Sequence, residues 1–170
     1  QGALKIIDGK AKVVNESFEN PRRMNVQDVV ALDLCRETGD IILGFADKRV
    51  EIGEFVNGVW KKKKVVFQTY KKIFSAICYK NENEIILGLD SGRIRGYKQS
   101  NDDAFILDHI YKGYRFPVEN MLFSRKYNCF VTSSLGRIQF YNNEGGMTDS
   151  YYLGASKRLS RSDLVNLSFG

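Results

Sequence analysis

The sequence predicts an all-β chain built from short antiparallel strands, and two observations support this prediction. Short apolar segments rich in β-branched and aromatic residues alternate with turns that contain Gly, Asn or Asp. The same order of segments also returns every 44 residues, as the spacing from Asp40 to Glu84 shows. A fixed period of this length indicates a repeat architecture, in which each unit packs on its neighbours.

The composition is that of a globular protein. Of the 170 residues, 43% are hydrophobic and 27% are charged, which allows a core and argues against disorder. Lys and Arg number 26 against 20 Asp and Glu, and the resulting net charge of +6 is compatible with an acidic partner. No apolar run reaches the roughly 18 residues that a membrane-spanning helix needs. The three cysteines are widely spaced, at Cys35, Cys78 and Cys129. Their number and spacing do not favour disulfides or a zinc site, and we expect a reducing, intracellular and cytoplasmic setting.

A hairpin recurs three times along the chain. Its apolar first strand begins near Asp40, Glu84 and Asn128, and each start lies 44 residues after the previous one. A short turn follows, and then an arginine and a β-branched residue, which predicts a tight hairpin with a positive φ at the turn. The repeated arginines are Arg49, Arg93 and Arg137.

Two further strands complete each repeat. A short apolar strand precedes each hairpin, over 29–34, 74–79 and 118–123. A more polar strand follows each hairpin, over 64–68, 105–110 and 149–153. We therefore expect three full units at 26–69, 70–113 and 114–154, the end of a preceding unit at 1–20, and the first strand of a following unit at 163–170.

Four-stranded antiparallel units of about 40–45 residues are typical of the blades of a β-propeller. A closed propeller has about 4–8 blades, so three full blades with partial blades at both ends do not complete one. A ring closed from these strands would leave an open sheet edge. We therefore expect the chain to be a segment of a longer propeller, or a half-propeller completed by another subunit. Another antiparallel β repeat or a β-sandwich is the alternative architecture with similar strand spacing.

The starts and ends of the units resemble those of the WD40-repeat family over nearly the whole chain. In that family a Gly-His pair precedes the first strand, and here Gly113 and Tyr114 occupy those positions. The family's closing Trp-Asp pair corresponds here to Tyr97-Lys98 and Tyr141-Asn142. The chain is thus similar to a divergent WD40-repeat propeller. The structural repeat positions are Asp47, Gly92, Gly136, Tyr70, Tyr114, Tyr97 and Tyr141.

The departures from the WD40 pattern concern a hydrogen-bonded network inside each blade. The family's Asp, His, Ser and Trp cannot form that network here, because Tyr stands at both the His and the Trp positions. In the first full unit the closing pair is replaced by Gly53-Glu54. We expect the tyrosines to bury their rings with the polar end satisfied.

Catalytic chemistry has little support in the sequence. A Ser-His-Asp or Cys-His arrangement would have to use His109, the only histidine, which falls in the polar fourth strand of a unit. Acidic pairs lie mostly in Asn-rich turns, where carboxylates cap the backbone. No glycine-rich phosphate loop and no cluster of metal ligands is present. The sequence therefore predicts no catalytic, cofactor-binding or metal-binding residues.

The most basic segment lies at the junction of two units and has two interpretations. It could bind an acidic protein surface or a polyanion, with aromatic rings stacking beside the lysines. Alternatively, lysines on an outer strand keep a sheet edge from pairing with other chains, which is the interpretation we favour. The candidate partner-binding or polyanion-binding residues are Trp60, Lys61, Lys62, Lys63, Lys64, Tyr70, Lys71 and Lys72.

The WD40 resemblance implies a non-catalytic scaffold, in which blades present variable loops to other protein subunits of a larger complex. This step is an analogy from fold to function. A module that binds nucleic acid or an acidic filament surface through residues 61–72 is the alternative.

Overall fold

A computed structural model describes residues 3–7, 10–14, 29–68, 74–154, 159–160 and 163–164. The described residues are almost entirely β, and their strands form three four-stranded antiparallel sheets and one two-stranded sheet. The four-stranded sheets coincide with the three predicted full units, and we call them blades 1, 2 and 3. The predicted fold class, an all-β chain of four-stranded propeller blades, is confirmed.

Each blade is a meander in which sequential strands are neighbours. Blade 1 consists of β3 (Val29–Leu34), β4 (Ile41–Phe45), β5 (Arg49–Val56) and β6 (Val59–Gln68). Blade 2 consists of β7 (Phe74–Asn81), β8 (Glu84–Leu89), β9 (Ile94–Gln99) and β10 (Phe105–Tyr111). Blade 3 consists of β11 (Asn120–Ser124), β12 (Cys129–Ser134), β13 (Arg137–Asn142) and β14 (Met147–Tyr152).

A two-stranded sheet precedes blade 1. Its strands, β1 (Ala3–Ile7) and β2 (Lys10–Val14), pair antiparallel in the region where the sequence predicts the last two strands of a preceding blade. The turns of the blades also follow from the sequence. Asn57 and Gly58 both have positive φ, as a two-residue hairpin of type I′ requires.

The blades stack through their first strands. The inner strand β3 packs against β7, and β7 packs against β11, so that β6, β10 and β14 lie at the outer edges. One apolar cluster, which includes Ile42 and Leu87, fills the space between blades 1 and 2, and a second, which includes Ile86 and Phe130, lies between blades 2 and 3. Blade 1 thus buries one side of blade 2 and blade 3 buries the other, as expected for stacked repeats.

The described residues after blade 3, 159–160 and 163–164, pack on the side of that blade that faces away from blade 2. Asn120 Nδ2 donates to the Leu159 carbonyl oxygen at 2.6 Å, and Leu164 is fully buried against blade 3. Ser160 and Asp163 cap each other's backbone amides at 2.7 and 3.2 Å, a pattern that starts a helix. The predicted strand over 163–170 therefore does not include Asp163 and Leu164, which are helical. Residues 165–170 lie outside the described residues.

Candidate interaction surface

The tyrosines at the WD40 His and Trp positions form a hydrogen-bonded network in blade 3. Tyr114 Oη lies 2.8 Å from the Thr132 carbonyl oxygen and 2.7 Å from the Thr132 hydroxyl. The Tyr141 hydroxyl donates to Gln139 Oε1 at 2.7 Å and also contacts the Lys112 carbonyl oxygen. The expectation of a buried ring with a satisfied polar end is confirmed for Tyr141. Tyr114 is partly buried with its hydroxyl satisfied, Tyr97 is partly buried against the cluster between blades 1 and 2, and Tyr70 lies outside the described residues.

Burial raises the pKa of both phenols. The pKa of Tyr141 rises to about 12, because burial disfavours the charged phenolate. Burial also raises the pKa of Tyr114, although its hydrogen bond with Thr132 acts in the opposite direction. Both phenols are therefore neutral near pH 7, and the network orders the blade rather than moving protons.

Blade 1 replaces the buried tyrosine in a different way. Gly53 stands 44 residues before Tyr97, which in turn stands 44 residues before Tyr141. A Cβ atom at Gly53 would lie 2.8 Å from Trp60 Cζ2, and the Trp60 and Phe55 ring centroids are 5.3 Å apart. Trp60 thus covers from β6 the space that a tyrosine of the third strand fills in the other blades. The ring proposed from sequence as a partner-binding group packs within its own blade.

Replacing Trp60 with Ala is expected to lower the free energy of unfolding by about 2 kcal/mol, because a half-buried ring leaves Gly53 and Phe55 uncovered. Urea unfolding followed by circular dichroism measures this loss. Trp60→Phe is the matched control and should cost less, since it keeps an aromatic ring and removes an indole N–H that is buried without a hydrogen bond among the described residues. Equal losses for the two variants would contradict the packing role.

Two of the four predicted lysines on β6 are paired within the molecule. Lys63 Nζ lies 2.8 Å from Asp40 and 3.2 Å from Glu54, and these partners raise its pKa. Lys64 Nζ lies 3.4 Å from Asp103 in the neighbouring blade. Part of the positive charge that the sequence assigns to a binding site is therefore neutralised locally.

Lys61 and Lys62 are exposed, and neither forms an ion pair with any described residue. Because β6 is the outer edge of blade 1, their charge is placed where it discourages pairing with another sheet edge. Tyr70, Lys71 and Lys72, the other candidates from the sequence, lie outside the described residues.

A different surface is formed where the chain crosses from blade 2 to blade 3, over residues 112–119. Tyr114 N donates to the Gly92 carbonyl oxygen at 2.8 Å, which fixes the crossover on the β8–β9 turn. The Ser134 hydroxyl donates to the Phe116 carbonyl oxygen at 3.3 Å, which fixes it on the end of β12. The crossover therefore joins the same end of both blades.

Five exposed side chains surround these contacts. Arg93 follows Gly92 directly, and Arg137 is the register partner of Ser134 on the neighbouring strand. The Arg137 guanidinium lies 5.9 Å from the ring centroid of Tyr152. We define the crossover surface as Arg93, Arg115, Phe116, Arg137 and Tyr152.

The repeat explains why this surface is basic. In blade 1, Arg49 pairs with Asp47 at 2.6 Å and with Glu51 at 2.5 Å. At the equivalent positions, 44 residues later, blade 2 has Ser91 and Arg95.

Blade 3 loses the same two carboxylates, since Leu135 and Gln139 occupy their places. Arg93 and Arg137 consequently form no ion pair with any described residue, although they occupy the position of Arg49. The repeated arginine and the loss of the turn Asp after Asp47 are visible in the sequence, but the ion pairs of Arg49 that make this loss important are visible only in the structure.

His109, the histidine considered for catalysis, lies in the packing between blades 2 and 3. It is half-buried, its ring centroid lies 4.5 Å from that of Tyr111, and it packs against Gly145 of blade 3. Within the described residues, no three His, Cys, Asp or Glu side chains are placed to hold a metal ion. Those residues also include no helix with the length and hydrophobicity that would carry it across a bilayer. The crossover surface can bind through charge and apolar contact.

Two solved structures show the same arrangement of blades. They are described as "Structure of U3-55K" and "Crystal structure of RRP9 WD40 repeats", and each matches with a TM-score of 0.61 and 13% sequence identity. The matches cover 77% of this chain and 41% and 40% of the two solved chains. The chain has a WD40-like propeller fold.

The WD40-like chain spans less than half the length of these two neighbours, and at 13% identity the likeness concerns the fold. No protein-family model matches the sequence, and no curated protein matches it. The resemblance deduced from the repeat positions is thus confirmed by structure rather than by sequence similarity. A fold of this kind does not by itself define a function.

Proposed function

We propose that this WD40-like chain is a non-catalytic scaffold that binds other protein subunits of a larger assembly through the crossover surface. One observation carries this proposal: Arg93 and Arg137 occupy repeat positions whose neutralising carboxylates are absent, and the crossover that contacts the ends of both blades carries the exposed ring of Phe116. Arginine and aromatic side chains contribute most strongly to protein interfaces. We further propose that the chain acts as part of a longer or multi-subunit propeller in the cytoplasm.

The way these side chains are held also supports binding. The turn that carries Arg93 and the crossover that carries Phe116 are joined by the backbone hydrogen bond between Tyr114 and Gly92. A surface ordered before association loses less conformational entropy when a partner binds. The crossover surface therefore has the composition and the order of a docking site.

Capture of partners from a native extract tests the scaffold function. The tagged wild-type chain is expected to recover proteins in stoichiometric amount, and the double substitution Arg93→Ala and Phe116→Ala is expected to reduce their recovery at least about tenfold. Lys61→Ala with Val59→Ala is the matched control, because it also removes one exposed cation and one exposed apolar side chain. Recovery of the chain alone, or equal loss with both variants, would contradict the proposal.

Polyanion binding through β6 and the following segment is the alternative function, and the exposure of Lys61 and Lys62 is the observation in its favour. The ion pairs of Lys63 and Lys64 weaken this alternative. It would appear in the same experiment as nucleic acid that is released by salt. The β6 control, rather than the crossover variant, would then lose the captured material.

A further inference from the structure

We infer that the partner segment that docks on the crossover surface is acidic and carries an apolar side chain between its carboxylates. This inference rests on the proposed scaffold function and specifies the chemistry of the partner. Its basis is the combination of exposed rings with arginines that form no ion pair within the described ranges, at one end of blades 2 and 3.

The charge of the surface selects a negatively charged partner. Arg93, Arg115 and Arg137 are exposed and lack ion pairs with the described residues. The internal comparison with Arg49 shows what this position binds when carboxylates are available, because Arg49 contacts both Asp47 and Glu51 within its own blade. A guanidinium binds a carboxylate through two parallel hydrogen bonds, because its planar group is rigid and matches the spacing of the two oxygens. Carboxylates of a partner can therefore bind the exposed guanidinium groups of Arg93 and Arg137, as Asp47 binds Arg49 in blade 1.

The apolar part of the surface favours a partner that carries apolar side chains as well as charged ones. Phe116 is 54% exposed, Tyr152 is 62% exposed and Leu153, next to Tyr152, is 44% exposed. Phe116 follows Arg115 directly in the crossover, and Tyr152 lies beside Arg137, so apolar groups accompany two of the three arginines. A partner that covers these rings gains apolar contact in addition to charge pairing.

The same features favour a protein segment over nucleic acid. Asp90 is exposed in the β8–β9 turn, two residues before Gly92, and its carboxylate lowers the net positive charge at this end of blade 2. Three arginines are also few for nucleic-acid affinity, which arises mainly from neutralising many phosphates. An acidic peptide can place its carboxylates on the arginines and its apolar group on Phe116.

Fluorescence anisotropy with the purified chain tests this inference. The probe is a labelled peptide of alternating glutamate and leucine, and the reference is the same peptide with glutamine in place of glutamate. We expect the glutamate peptide to bind at least about tenfold more tightly than the glutamine peptide, a difference of about 1.4 kcal/mol. Arg93→Glu with Arg137→Glu should abolish this preference, and Phe116→Ala should weaken both peptides.

The control variant is Lys61→Glu with Lys62→Glu, which changes the net charge by the same amount at the edge of blade 1. Retained binding by this control supports the inference, and equal loss in both charge-reversed variants would overturn it, because the effect would then come from overall charge. Tighter binding of a single-stranded oligonucleotide than of the glutamate peptide would also overturn it. If the crossover variants lose their captured proteins while the glutamate peptide does not bind, the acidic partner is excluded and the scaffold function stands.

Discussion

Replacing Tyr141 with Ala is expected to lower the free energy of unfolding by about 4 kcal/mol, a large part of the stability of an ordinary domain. Tyr141 is fully buried, and its ring stacks on Phe130 with the centroids 4.3 Å apart and the planes parallel within 1°. The ring of Tyr111 meets it edge-on at 5.8 Å. The substitution therefore opens a cavity between blades 2 and 3, where the surrounding rings cannot collapse.

Tyr141→Phe is the control that separates the ring from its hydroxyl. It keeps the stacking on Phe130 and removes the hydrogen bond to Gln139 Oε1, so we expect it to cost about 1–2 kcal/mol. Urea unfolding followed by far-UV circular dichroism gives both values. A loss for Tyr141→Ala no larger than that for Tyr141→Phe would contradict the role of the ring, and the WD40-like network would then depend on its hydrogen bonds alone.

Much of the fold could be predicted from the sequence because the same local sequence pattern occurs three times. The spacing of Arg49, Arg93 and Arg137 fixes the register of three hairpins, and turn residues such as Asn57-Gly58 fix their tight ends. A strand assigned in one unit is therefore supported by the two other units. Consistency of this kind is stronger than the propensity of any single segment.

The strand predicted over 163–170 is an exception, because two of its residues are helical. Leu164 fits the apolar pattern of a first strand, but Ser160 and Asp163 cap each other's backbone amides, and Asp163 and Leu164 are helical. A serine followed three residues later by an acidic residue is a known start of a helix, so this signal was present in the sequence. The apolar pattern favours a strand at this point, whereas the local hydrogen bonds favour a helical turn.

The candidate site was harder to predict than the fold, because a binding surface depends on which charges remain unpaired. Four consecutive lysines from Lys61 to Lys64 are conspicuous in the sequence, yet Lys63 and Lys64 are partly neutralised by carboxylates from distant positions. Arg93 and Arg137 are isolated in the sequence, and only the crossover contacts show that they lie at the same end of neighbouring blades. Charge runs identify cations, whereas tertiary contacts decide which of them can bind a partner.

Replacing Gly92 with Ala is expected to lower the free energy of unfolding by at least about 3 kcal/mol and to displace the crossover surface. Gly92 has φ of +78°, where an L-residue is strained by about 1–2 kcal/mol. An added Cβ would also lie 2.6 Å from the Phe116 carbonyl oxygen and against the Tyr114 carbonyl. The backbone of the crossover must then move away, which breaks the hydrogen bond from Tyr114 N to Gly92 O.

Gly39→Ala is the matched control, because Gly39 has a similar φ of +75° and no atom within 4 Å of an added Cβ. We expect it to cost only the backbone strain, about 1 kcal/mol, and to leave peptide binding unchanged. Under conditions where circular dichroism shows the Gly92→Ala chain still folded, its preference for the glutamate peptide should fall at least about tenfold, since Arg93 and Phe116 lose their relative placement. Equal stability losses for the two variants would show that the crossover is not held against the β8–β9 turn. Unchanged peptide binding by the Gly92→Ala chain would show that recognition of the peptide does not depend on the crossover contacts.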